Sequence, residues 1–231
     1  MATVHEIEQR LFSWAPRESA MDWDNVGHLV GDPEQEVERI LVALDITERV
    51  VQEAIDCGAQ LIVSHHPVMN VRWHEREMQT LRSDTRLGGV LTTLVKNDIS
   101  AICMHTNLDA ADGGVNDCLA KKLGLNDILL LNDEKIGRIG TLSCEKGLEE
   151  FLRDVIELLG CGGLRYCRGS GRVYRVAVGG GACGEYIPQA IAQGATFNPQ
   201  LVGGMAGHIA DEMEAIGAKQ VLAPVLDIAR E

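Results

Sequence analysis

Aromatic side chains are scarce in this chain of 231 residues, where three Trp, three Tyr and three Phe make up 4%. Its core therefore rests on aliphatic residues, and hydrophobic residues still total 45%, an ordinary globular share. Basic residues are also short: Lys and Arg number 21 against 34 Asp and Glu, a formal net charge of −13. An acidic surface repels a phosphate backbone, which argues against nucleic acid as a partner. A positive pocket or a metal cluster can still hold an anion locally. No apolar run approaches the ~18 residues of a membrane span, so no membrane partner is expected. The stretch MATVHEIEQRLFSWAP holds acids and no apolar h-region, and is expected not to be a signal peptide. No CxxC pair occurs, and the cysteines (Cys57, Cys103, Cys118, Cys144, Cys161, Cys167 and Cys183) are odd in number. That favours reduced thiols in a cytosol over a disulfide framework or a structural zinc site. All of them are expected to be buried and inert.

What is present reads as helices alternating with short apolar strands. Val4, Ile7, Leu11 and Phe12 have helical spacing within residues 3–13. Arg39 to Leu44 (RILVAL) and Gln60 to Ser64 (QLIVS) read as buried strands around a helix, Glu48 to Asp56, capped by Thr47 and stopped by Gly58. Strand, helix, strand at this spacing implies parallel pairing. A polar connection holding Trp73 and His74 leads to a helix, Leu87 to Asn97, and a third strand, Ser100 to Met104. A helix over Gly113 to Leu123, a strand over Arg138 to Ser143, a helix over Leu148 to Leu159 and a strand over Arg172 to Val178 follow. Helices from Glu185 and over Leu201 to Ile216, and a strand over Gln220 to Ala223, are expected last. The expected fold is α/β, a mostly parallel buried sheet flanked by helices. Its expected divisions are 1–125, 126–187 and 188–231.

The residues with chemistry sit where strands end. Ser64-His65-His66-Pro67 follows one apolar strand, and His105-Thr106-Asn107-Leu108-Asp109 follows another. Parallel strands bring their carboxyl ends to one edge, where open α/β sheets hold ligands. His65, His66, His105 and Asp109 can then share a crevice. Imidazole with carboxylate suits zinc, iron, manganese or nickel, and a carboxylate can bridge two ions. The alternative is that the histidines are ordinary polar residues and Asp109 caps a helix. His208 and Glu212 are four apart on a helix face, which by spacing alone reads as a solvated acidic face with Asp211 and Glu214. Gly179, Gly181 and Gly184 spell GxGxxG. No acidic residue follows at a later strand end, so a tight turn is the reading preferred over a dinucleotide site. There is no GxSxG elbow.

Three blocks together resemble the NIF-three-like proteins, also catalogued as GTP cyclohydrolase 1 type 2. They are Trp23-Asp24-Asn25-Val26-Gly27, Leu61-Ile62-Val63-Ser64-His65-His66-Pro67, and His105-Thr106-Asn107-Leu108-Asp109-Ala110-Ala111 with Gly113-Gly114-Val115-Asn116. The resemblance spans about residues 3–187. It implies an α/β fold in a homohexameric ring with a dinuclear centre of two divalent metal ions, and the cysteine usage above adds the expectation of a cytoplasmic protein. His65, His66 and Asp109 would be ligands, with His105 beside them as a supporting or catalytic base. His208 and Glu212 match the family's C-terminal GHxxxE pattern. A nucleotide or another small cyclic amide-like compound would be the substrate of a metal-dependent hydrolase, and a non-catalytic metal-binding scaffold is the alternative. Residues from about 187 to 231, including ATFNPQLV and GAKQVLAPVLDIARE, resemble instead a segment of the family-three β-glucosidases, with Asp227 matching a substrate-contacting aspartate. The C-terminus is accordingly expected to be atypical.

Overall fold

The computed structural model describes residues 1–69, 81–131, 133, 135–166 and 171–180. Trp73 and His74, the glycines at 181 and 184, the elements expected after Glu185, and His208, Glu212 and Asp227 lie outside the described residues. The chain divides into two compact units, Met1–Asp112 and Gly113–Glu231.

In the first unit a short strand β1 (Ala2–Thr3) leads into helix α1 (Val4–Trp14). Thr3 caps α1 reciprocally with Glu6: Thr3 Oγ1 accepts from Glu6 N and Glu6 Oε2 accepts from Thr3 N. Then come β2 (Gly27–Val30), β3 (Glu36–Val37, antiparallel to β1), β4 (Ile40–Ala43), α2 (Glu48–Cys57), β5 (Leu61–Ser64), α3 (Arg86–Lys96), β6 (Ser100–Cys103) and the one-turn helix α4 (Thr106–Ala110). Thr47 caps α2 through Val50 N, and Gly58 ends it at φ 67°, as the sequence led us to expect.

The sheet has the order β2-β6-β5-β4. The last three strands are parallel and β2 runs antiparallel to β6. Alternate side chains face opposite layers. Ile62 and Ala101 pack with Val51, Ala54 and Leu94 of α2 and α3, whereas Leu61 and Ile102 pack with Val4, Ile7, Leu11 and Phe12 of α1. RILVAL differs from its expected burial. Its strand, β4, ends the sheet among the described residues, and Val42 is 76% exposed.

The second unit contains α5 (Val115–Lys122), β7 (Asn126–Leu130), β8 (Arg138–Gly147), α6 (Leu148–Leu159) and β9 (Arg172–Val178). Its sheet, β7-β8-β9, is wholly antiparallel, so parallel pairing is confined to the first unit. α5 falls within this unit. Ala120 of α5 belongs to one core with Leu142, Phe151, Leu152, Val155, Val173 and Val176. α6 feeds that core from one face, with Leu148, Phe151, Leu152 and Val155 buried. Phe151 is the largest fully buried side chain here. Phe151→Ala is expected to cost roughly 3–5 kcal/mol, read from denaturant unfolding. A loss too small to shift the midpoint would show that this core does not govern stability.

The cysteines depart from the expectation of general burial. Among the described ones only Cys103 is buried, while Cys118 and Cys144 are exposed. Cys118 lies on the polar side of α5 and Cys144 on an exposed stretch of β8. All five described cysteines are free thiols. Among the described residues no helix is long and apolar enough to cross a membrane.

Candidate metal centre

Four chain segments meet at one edge of the first sheet. The carboxyl ends of β4, β5 and β6 deliver Asp45, His65 with His66, and His105. Because β2 is antiparallel, its entry loop, with Trp23 and Asp24, reaches the same edge. The chain turns after Ser64: His65 N and His66 N donate to the Ala43 and Leu44 carbonyls, and Ser64 Oγ donates to the His66 carbonyl. This turn lets sequence neighbours converge. The ring centroids of His65 and His66 are 5.0 Å apart, those of His65 and His105 5.0 Å, and those of His66 and His105 5.5 Å. One ligating nitrogen from each ring lies within 4.8 Å of the other two.

Each imidazole is oriented from behind. His65 Nδ1 lies 3.0 Å from the Met104 carbonyl, His66 Nδ1 2.8 Å from Asp45 Oδ1, and His105 Nδ1 2.8 and 2.9 Å from the Asp24 oxygens. A carbonyl and an ionised carboxylate only accept, so Nδ1 carries a proton in all three rings. In a neutral ring the lone pair is then left on Nε2. A ring oriented through one nitrogen and ligating through the other is the arrangement of metal-binding histidines. The donor set therefore fits a divalent cation.

Charge supports this. Burial, and then the neighbouring His105 and His66, push the His65 imidazole down to about 4, so it is neutral and able to ligate at neutral pH. Burial pushes the Asp109 carboxyl up to about 6. Its side chain is fully buried, with Oδ1 3.7 Å from His65 Nε2. α4 places it there, since Asp109 N donates to the His105 carbonyl one turn back. Burial would also raise Asp24, but hydrogen bonds from His105 and Thr106 outweigh it and hold that carboxyl at about 2. The structure thus brings together His65, His66, His105 and Asp109, and groups His105 with the histidine pair. Asp24 and Asp45 were missed as orienting groups. Asp24 stands inside the quoted WDNVG block, and Asp45 directly follows a strand, so both were in view without an assigned role.

The family model Duf34/NIF3 (NGG1p interacting factor 3) matches residues 2–224. The chain belongs to the Duf34/NIF3 family. A Clostridium perfringens protein named GTP cyclohydrolase 1 type 2 homolog is 33% identical over 210 residues, 88% of this Duf34/NIF3 chain and 78% of the relative. A namesake from Halalkalibacterium halodurans is 42% identical over 129 residues, which is 56% of this chain but 32% of that protein. Among solved structures, Staphylococcus aureus protein SA1388 superposes with a TM-score of 0.72 at 28% identity, covering 84% of this chain and 77% of that one. A Bacillus cereus protein related to NIF3 covers 99% of this chain and 98% of its own, with a TM-score of 0.71 at 20% identity. The mixed α/β architecture is thus that of other NIF3-like structures. The family match runs through most of 188–231. None of the relatives named here lends support to a β-glucosidase likeness.

Proposed function

We propose that this Duf34/NIF3 protein is a metal-dependent hydrolase of a small nucleotide or a related cyclic amide-like compound, with His65, His66, His105 and Asp109 as the described part of its metal-holding set. The observation that supports this most directly is the meeting of three ligating nitrogens within 4.8 Å, each ring held through its other nitrogen. A divalent ion there would acidify a bound water and polarise the substrate. The protein's own part is to keep the His65 imidazole neutral, to orient the three rings and to bury Asp109 beside them. By family resemblance His208 and Glu212 join the set, two ions are held, and the protein acts in the cytoplasm as a homohexamer. The names of the relatives favour GTP as the first substrate to try.

Metal analysis and a mass measurement in solution, followed by turnover of a nucleotide panel with added manganese or zinc, test this reading. The expected result is bound metal and consumption of at least one nucleotide that stops when a chelator removes the ion. Bound metal without turnover of any nucleotide would replace the hydrolase with a metal-binding scaffold. A protein that takes up no divalent ion would overturn the whole reading.

A further inference from the structure

We propose that Asp24 is the positioning residue of the cluster, fixing which nitrogen of His105 carries the proton and thereby whether His105 can hold a cation. Its side chain is fully buried, and four donors surround its two oxygens. Oδ1 accepts from Asn25 N at 2.7 Å and from His105 Nδ1 at 2.8 Å. Oδ2 accepts from Thr106 N at 3.0 Å and from Thr106 Oγ1 at 2.5 Å. An ionised carboxylate offers about four lone-pair sites, and all are used. The same group therefore sets the His105 tautomer, starts α4 and anchors the loop that carries Trp23. Thr106 Oγ1 reinforces the loop by accepting from Met21 N at 2.9 Å.

An amide cannot reproduce this. In Asp24→Asn the single oxygen is best placed on the Thr106 side, where two donors converge on a residue with no solvent exposure. The amide NH2 then faces Asn25 N, on a partly exposed residue that water can reach, and His105 Nδ1. His105 Nδ1 lies 2.8 Å from the oxygen that becomes NH2 and 2.9 Å from the one retained, so an Nδ1–H would face a second donor at its shorter contact; moving the proton to Nε2 relieves this and blocks the nitrogen aimed at the other two rings. Asp45 holds His66 in the same way, but its side chain is 53% exposed, so water can take its place and Asp45→Asn is expected to be mild.

The inference rests on the metal-binding reading for its affinity arm only; the tautomer is measurable without metal. Nitrogen-15 spectra of the metal-free full chain should show His105 protonated at Nδ1 in the wild type and at Nε2 in D24N. Zinc titrated against a competing chelator should bind D24N roughly 10- to 100-fold more weakly. Thr106→Val, which removes one donor to Asp24 Oδ2 but leaves the Asp24–His105 bond, should keep the wild-type tautomer and weaken zinc far less than D24N. A D24N protein that keeps the Nδ1 proton, or binds zinc as tightly as wild type, overturns the proposal. So does T106V weakening zinc as much as D24N, since Asp24 would then be a loop anchor alone. If D24N fails to fold, a wild-type His105 protonated at Nε2 still overturns it. Wild-type protein that binds no zinc removes the metal reading and leaves the tautomer comparison to decide this one.

Discussion

Replacing His65 and His66 together by alanine is expected to empty the cluster of cations while the fold survives. Two of the three converging imidazoles are lost, which leaves His105 and Asp109 alone of the described donors and the site short of the ligands that a tetrahedral or octahedral geometry needs. Both histidines follow β5, with side chains 15% and 32% exposed. Their removal forfeits one bond to the Met104 carbonyl and one to Asp45, each worth about 1 kcal/mol net. Metal per chain should fall to background, any nucleotide turnover should vanish with it, and the circular dichroism spectrum should stay native. A double variant with wild-type metal content would place the ion elsewhere.

A large loss of stability is also expected from a residue with no chemistry. Gly31 ends β2 at φ +107°, and a Cβ there would sit 2.1 Å from Ser100 Oγ and 2.8 Å from Ser100 Cα on β6. The second contact is with backbone of a central strand and cannot be relieved by rotating a side chain. Gly31→Ala therefore combines a strained backbone with overpacking, together about 3 kcal/mol or more. Urea unfolding should show a clear drop in midpoint, and a shift equivalent to less than about 1 kcal/mol would show that the strand accommodates the methyl group. Because β2 directs the Asp24 loop to the site, the variant should also weaken cation binding.

Much of this was readable from the order of residues. Apolar runs ending in Ser64 and Cys103 marked the two central strands, and the polar residues just beyond them marked the site. Thr47 and Gly58 bounded α2 because capping chemistry is local. The antiparallel partner β2 was harder to see. It is four residues long, GHLV, and owes its place to pairing with β6. Without it, nothing in the chain order brings Asp24 across 81 positions to His105. The expected parallelism held only in the first unit; β8 and β9 pair antiparallel although α6 lies between them, and β7 carries exposed Leu129 and Leu130 in place of a clear alternation. The exposure of β4 was hidden for the same reason, since an apolar run does not say whether its strand lies inside a sheet or at its margin.

The rings at the sheet edge are held in ligating posture by the protein alone. An occupant can thus come and go with little rearrangement, and such a rigid nest of imidazoles offers weak grounds for refusing one first-row ion in favour of another. Intrinsic preference would then climb from manganese through iron, cobalt and nickel to copper. Which element is found there in a living cell becomes a matter of supply: the bioavailable pool, more than the fold, selects the tenant, and copper overload is the circumstance in which the wrong one would take hold.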